Sequence, residues 1–207
     1  MGTKVNQKAR ILEAASRIVG HAGAAHLTIE AVALEAGLSK GGVLYHFPNK
    51  RSMLEGMLHK VLTDVGERTA RYRAEMADEA SVAIRARLLA EQEQSDQERA
   101  MSLALLAAAA EDPGLLDPAR EFIRQSFAEI RSAAADEDFA QILLLAVEGL
   151  RFLEMLDLLP LSATEKDRLH RRLQSLATST LASETSVTKT SVTETSVTKT
   201  SVTETSA

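Results

Sequence analysis

Residues 28–50 read TIEAVALEAGLSKGGVLYHFPNK, and every part of this stretch has a local structural meaning. Thr28 can cap a short helix running to Glu35, its hydroxyl accepting from a free amide of the first turn. Glu30 sits in that turn, near the positive end of the helix dipole. Ala36-Gly37-Leu38 then turns the chain, with Gly37 free to take a positive φ. Ser39 can cap a third short helix ending near Phe47. Pro48-Asn49 breaks it, and Asn49 caps a longer helix from Lys50 to about Met76. Two short helices around a tight glycine turn make a helix-turn-helix pattern.

Upstream, Ile11, Leu12, Ala15, Ile18 and Val19 fall on one face of a helix from Val5 to about Ala22, closed by Gly20 and Gly23. Downstream the chain stays helical. The spacing predicts helices at about Ala80–Glu93, Gln97–Ala110, Pro118–Ala134, Asp138–Leu158 and Ser162–Thr180, with breaks at Ser95, Pro113-Gly114, Asp136 and Pro160. Sustained two-residue alternation is absent outside the tail. The expected fold is all-α, with three divisions. Residues 1–49 form a three-helix domain carrying the helix-turn-helix. Residues 50–182 form a helical domain joined to it through helix 50–76. Residues 183–207 form a tail of Thr-Ser-Val-Thr-Lys and Thr-Ser-Val-Thr-Glu pentamers. With one valine per unit the tail cannot bury a core, and it reads as disordered; an extended, β-rich repeat is the competing reading.

Charge is distributed unevenly. The first 60 residues carry eight Lys/Arg against four Glu, a net +4, which leaves −9 for the remainder of a chain totalling −5. A small basic domain on a larger acidic one points to a polyanion partner for the first part. Cysteine is absent, which excludes disulfides and thiolate metal sites and fits a cytoplasmic location. The apolar stretch 139–159 contains Gln141, Glu148, Arg151, Glu154 and Asp157, too many polar groups for a membrane helix.

On a DNA-binding reading, the amides near Thr28 face a phosphate while the first helix of the pair crosses the backbone. Ser39, Lys40, Gly41 and Gly42 open the third helix with short residues and one lysine, where the backbone can approach base edges. Tyr45, His46 and Lys50 offer a phenol, an imidazole and an ammonium to phosphates beside the groove. Phe47 reads as core, since it continues the apolar face of that helix. Tyr45 can equally pack its ring and wet its hydroxyl. His46 has no second ligand at metal-binding spacing, and no metal site or cofactor is read anywhere in the chain.

This segment resembles the DNA-binding signature of TetR-type regulators, matching at Ala36, Gly37, Leu38, Ser39, Gly41, Tyr45, His46, Phe47 and Lys50. Three positions depart from the commonest pattern. Leu44 stands where a tyrosine is frequent, Gly42 where a threonine is frequent, and Arg51 where an acidic residue is common, adding positive charge toward DNA. The resemblance implies an all-α homodimer on a palindromic operator, and a C-terminal domain that binds a small-molecule effector. The implied effector site lies among the helices between Val61 and Phe152, with Leu103, Leu106, Phe122, Phe127, Leu145 and Phe152 as candidate lining and Glu148 or Arg151 as polar anchor. The implied dimer interface is the last two helices, through Phe139, Ile142, Leu143, Leu150, Leu153, Leu169 and Leu173. The competing reading places this apolar stripe against the protomer's own core.

Two other classes compete with this reading. An enzyme lacks support: there is no phosphate-cradling glycine loop and no nucleophile, base and acid at recognisable spacing, so no catalytic residue is assigned. A helical interaction module without sequence-specific DNA binding is the alternative, and the basic first domain counts against it.

Overall fold

The computed structural model describes residues 2–76, 82–134 and 136–190. Among these, the chain forms nine α-helices and no strand. They are α1 (Gly2–Ala22), α2 (Ile29–Ala36), α3 (Lys40–His46), α4 (Lys50–Glu75), α5 (Val82–Gln92), α6 (Asp96–Glu111), α7 (Asp117–Ala133), α8 (Glu137–Met155) and α9 (Ala163–Thr190). Short 3-10 turns at Ala24–His26 and Pro113–Leu116 connect α1 to α2 and α6 to α7.

Side-chain caps set most of the boundaries. Thr28 accepts from the Ala31 amide and Ser39 from the Gly42 amide, each at 3.1 Å. Asn49 and Ser52 form a reciprocal capping box at the start of α4, and Ser95 and Glu98 do the same for α6. Gly37 takes φ 61°, and the Leu38 amide donates back to Ala33 at 2.9 Å, closing α2 in a Schellman turn. Helix α8 stops at Met155, earlier than the expected Leu158. Asp157 adopts φ 53°, and the Leu158 amide donates to the Leu153 carbonyl at 2.9 Å. Aspartate tolerates this left-handed conformation, so the chain turns before Pro160 rather than at it. Helix α9 runs to Thr190, through the first pentamer to the first residue of the second; residues 191–207 lie outside the described residues.

The helices bury two cores. In the first, Ile11, Ala15 and Val19 of α1, Val32 of α2, Val43 of α3, and Met53, Met57 and Val61 of α4 meet Met101, Ala104 and Leu105 of α6. The second joins Ile84 and Leu88 of α5, Ile130 of α7, Leu143, Leu144 and Val147 of α8, and Ala177 of α9. The first core therefore reaches from the helix-turn-helix into α6 without a break.

Within it, Phe47, at the C-terminal end of α3, is 2% exposed and packs against α4 at Gly56. A Cβ at Gly56 would stand 2.6 Å from Phe47 Cε1 and 3.3 Å from Leu12 Cδ2, so only glycine permits this approach. Gly66, farther along α4, has only Phe122 nearby, at 3.9 Å. Gly56→Ala meets an overpacking cost of about 1–3 kcal/mol that exceeds the gain of about 1 kcal/mol in helix propensity. Gly66→Ala collects the gain alone. Urea denaturation should therefore move the two midpoints in opposite directions, Gly56→Ala down and Gly66→Ala up.

Candidate nucleic-acid interface and cavity

The helix-turn-helix presents a defined outer face. Val43 and Phe47, four residues apart, bury one side of α3, which turns Lys40, Gly41 and Tyr45 to solvent. Tyr45 is 68% exposed, and its ring meets the His46 ring edge-on with centroids 5.1 Å apart. His46 is half-buried, with Nε2 3.3 Å from Gln7 Oε1 of α1. Lys40 Nζ reaches Glu30 Oε1 at 2.6 Å, tying the start of α3 to the first turn of α2. That contact, a hydrogen bond first and an opposite charge second, holds the Glu30 carboxyl below its ordinary range. Lys50 is exposed at the head of α4. The hydroxyls of Thr28 and Ser39 are already engaged as caps. Arg10 donates to the Ala36 carbonyl at 2.8 Å, bracing the turn from α1.

Arg51 does not add charge toward the groove face as its sequence position suggested. Its guanidinium binds Glu55 on its own helix and Asp112 at the end of α6. The arginine thus closes the joint between α4 and α6.

Among the second domain's helices, one cavity combines apolar walls with buried charge. It has a volume of about 210 Å³ and is walled by Leu58, Val61, Leu62 and Val65 of α4, Leu105 and Leu106 of α6, Phe122 and Ile123 of α7, and Phe152 and Met155 of α8. Arg87 and Glu91 of α5 and Glu148 and Arg151 of α8 complete it. Arg87 Nη2 lies 2.8 Å from Glu91 and 2.7 Å from Glu148. Arg151 lies 3.4 Å from Glu91 and 3.0 Å from Glu148. The Arg87 guanidinium also stacks 5.1 Å from the Phe122 ring centre. Two wider grooves flank this cavity, a mainly polar one sharing Glu91 and Arg151 and a mainly apolar one sharing Arg87 and Phe122. A void of about 30 Å³ between α5, α7, α8 and α9 has room for about one water.

Of the expected lining residues, Leu106, Phe122, Glu148, Arg151 and Phe152 reach the cavity. Leu103 and Phe127 do not: Leu103 is half-buried on another face of α6, and Phe127 packs on the second core. Leu145 is 58% exposed on the outer face of α8. Arg87 and Glu91 were missed. Their signal was present, an Arg-Glu pair one helical turn apart inside the apolar run of α5, matched by Glu148 and Arg151 in α8.

The same rotation error affects the interface residues. Leu143 is 4% exposed and belongs to the protomer's own second core, where Phe139 and Leu173 also pack. Leu150 is half-buried. Ile142, Leu153 and Leu169 are exposed, and with Leu145 they form an apolar outer face on α8 and α9. Nothing stands within 4 Å of a Cβ built at Gly149, in the middle of that face.

The cluster's carboxyls are held differently. Burial pushes the Glu91 carboxyl up, and the neighbouring Glu148 adds to it, against the attraction of Arg87 and Arg151. Burial also acts to raise Glu148, but Arg87 and Arg151 outweigh it and hold Glu148 below its ordinary range.

An all-α chain with a helix-turn-helix on a basic N-terminal domain and a largely apolar cavity among its later helices is the architecture of a one-component regulator. Residues 11–57 match the model of the bacterial regulatory proteins of the tetR family, and residues 81–178 match that of the tetracyclin repressor-like C-terminal domain. The chain belongs to the TetR family, whose members are transcription regulators and not enzymes. The HTH-type transcriptional regulator BetI of Burkholderia thailandensis is 33% identical over 86 residues, covering 42% of this chain. The match spans 44% of that relative's length. The multidrug binding protein EbrR complexed with ethidium is 26% identical, with a TM-score of 0.60 over 81% of this chain and 97% of that one. A TetR-family member from Streptomyces coelicolor A3 has the same fold, at 23% identity and a TM-score of 0.64 over 81% of this chain and 97% of its own. Among the described residues no helix is long and apolar enough to cross a membrane, and no cluster of side chains could hold a metal ion.

A stability measurement tests the charge cluster. At pH 7 Glu148→Gln removes a carboxylate whose ionised form the fold favours, whereas Glu91→Gln removes one whose ionised form it disfavours. A depressed carboxyl contributes stability above its unfolded pKa and loses it as pH falls through the folded value; a raised one behaves oppositely. In urea titrations at pH 7 Glu148→Gln should lower the midpoint more than Glu91→Gln. The difference should disappear in acid, where both carboxyls are protonated.

Proposed function

We propose that this chain is a dimeric, cytoplasmic transcriptional repressor that binds a palindromic operator and is released by a small molecule held in the cavity between α4, α5, α6, α7 and α8. The observation that carries the reading is the continuous first core. It packs the recognition helix α3 on α4, and the same α4 supplies Leu58, Val61, Leu62 and Val65 to the cavity wall. A ligand seated there acts on the helix that positions the DNA-binding surface.

On the DNA, α3 lies in the major groove. Gly41 and Gly42 bring backbone close to base edges, and Lys40 exchanges Glu30 for the DNA. Tyr45 and Lys50 hold phosphates, while Thr28 and Ser39 sit beside the backbone with their caps in place. His46 contributes from the edge, positioned by Gln7. One short recognition helix reads few bases, so two copies are needed. The second copy packs on the outer face of α8 and α9, through Ile142, Leu145, Leu153 and Leu169. Leu143, Phe139 and Leu173 support that face from behind. EbrR, a relative of the same fold, is described with a bound small molecule, which favours a ligand-responsive regulator here too.

Selection of bound fragments from genomic DNA at near-physiological salt should enrich a palindrome. Tyr45→Ala and Lys50→Ala should each weaken binding to that fragment about tenfold while leaving helicity and oligomeric state unchanged, each residue supplying about 1–2 kcal/mol of phosphate contact. Lys50→Ala should also flatten the dependence of log K on log salt by about one charge. Unchanged affinity in both variants would remove the assigned contacts. Leu145→Glu should convert the dimer to a monomer by light scattering and abolish operator binding at nanomolar protein; a persistent dimer would place the interface elsewhere.

A further inference from the structure

We propose that Glu30 and Lys40 together read one base pair in each half of the operator, a G·C pair with the guanine under Lys40 and the cytosine under Glu30. This deepens the DNA-binding reading and rests on it.

An acidic side chain is out of place on a surface that meets phosphates. Four glutamates lie in the first 60 residues. Glu35 is bound to Arg17 of α1 and Glu55 to Arg51 of its own helix, and Glu13 lines a crevice between α1, α4 and α6. Among the described residues, Glu30 is the one of the four bound to α3, through Lys40 Nζ at 2.6 Å. Lys40 is the first residue of α3, and the leading residues of a recognition helix are those that meet base edges. The contact carries the carboxylate to the same end, where the Lys40 and Glu30 side chains are 60% and 64% exposed. Gly41 and Gly42 follow and place no side chain between the pair and the bases.

The chemistry of the major groove then fixes the partner. An ionised carboxylate only accepts, and Lys40 holds the Glu30 carboxyl below its ordinary range, so it stays ionised. The groove offers it two donors, the amino groups of cytosine and adenine. An ammonium only donates, and guanine presents two acceptors side by side, O6 and N7, where thymine has one beside a methyl group. In a G·C pair the cytosine amino group and guanine O6 are bonded to each other, about 2.9 Å apart. The ends of Glu30 and Lys40 are 2.6 Å apart, so they span that donor and acceptor in register. Lys40 gives up Glu30 for the guanine, and the carboxylate takes the cytosine amino group in exchange. With the pair reversed, ammonium meets amino group and carboxylate meets carbonyl, and both contacts repel.

Selection from a random DNA pool, run with the full chain and with Glu30→Ala, Glu30→Gln and Lys40→Met, tests this. The parent should return a palindrome with a G·C pair at one position of each half-site, favoured about tenfold over the other pairs. Glu30→Ala and Lys40→Met should each level the preference at that position and leave the rest of the palindrome as in the parent. Glu30→Gln keeps the shape of the side chain and so answers even if Glu30→Ala weakens α2. It should admit adenine in place of the cytosine, because a carboxamide accepts from adenine N6 and donates to N7. A motif unchanged by Glu30→Ala and Glu30→Gln overturns the proposal. So does a shift in affinity by one factor for every sequence, which is what a glutamate that only supports α2 or repels phosphate would give. Loss of preference at different positions in Glu30→Ala and Lys40→Met overturns it as well. A folded parent that enriches no palindrome ends the operator reading itself, whereas a palindrome indifferent to Glu30 ends this inference and leaves that reading standing.

Discussion

The ring of Phe47 rests on α4 at the one point where Gly56 leaves the helix bare. Helix α3 has seven residues, too few to be stable alone, so its direction is inherited from what it packs on. Val43 and Phe47 anchor it to the first core, and Phe47 does so against backbone rather than against a side chain that could adjust. The recognition surface is therefore rigid with respect to α4. Whatever tilts α4 tilts α3 with it. Other contacts reinforce this frame without replacing it: Arg10 on the turn carbonyl, Arg17 on Glu35 at 2.6 Å, and Lys40 on Glu30.

The opposite face of α4 is fastened to the second domain by charge as well as packing. Arg51 joins its head to Asp112 at the end of α6. About one turn beyond the last cavity residue of α4, Arg68 donates to Glu98 at 2.6 Å and to the Ala90 carbonyl at 3.2 Å, and both ionic side chains are largely buried. Burial acts to raise the Glu98 carboxyl, but the hydrogen bonds from Arg68 and Ser95 prevail and hold it low. Exposed ion pairs contribute little to stability, whereas buried ones specify geometry because a lost partner is costly. The long helix is thus held at its head and in its far half by groups with fixed partners, Asp112 and Glu98 at the two ends of α6.

The DNA-binding half was legible in the sequence because its determinants are local. Caps at Thr28, Ser39 and Asn49, the positive φ of Gly37 and the i, i+4 pair Val43 and Phe47 all follow from residues a few positions apart. The cavity was only partly legible because five helices build it, and periodicity does not say how each is rotated. Helix α8 is apolar on two faces, so Leu143 and Leu145, two residues and about 200° apart on a helix, exchanged roles between core and surface. Arg87 and Glu91 escaped notice for a related reason. A charged pair one turn apart usually lies on a solvated face, and only the matching pair from α8 makes it a buried cluster. The departure of Arg51 toward Asp112 depends on a contact 61 residues away, which no local rule supplies.

These constraints define how a ligand must act. A packed core transmits displacement instead of absorbing it, because its side chains have few alternative arrangements. Leu58 and Val61 belong to the wall of the cavity and to the neighbourhood of the first core at once. A molecule that holds the cavity open therefore sets the distance between α4 and α8, and through Phe47 the attitude of α3. Moving such an equilibrium from 1:99 to 99:1 takes about 5.5 kcal/mol of difference in affinity between the two states. A small ligand has few contacts from which to draw that difference. It follows that nearly all of its binding energy must be absent in the DNA-bound state, which requires that state to close the cavity almost completely.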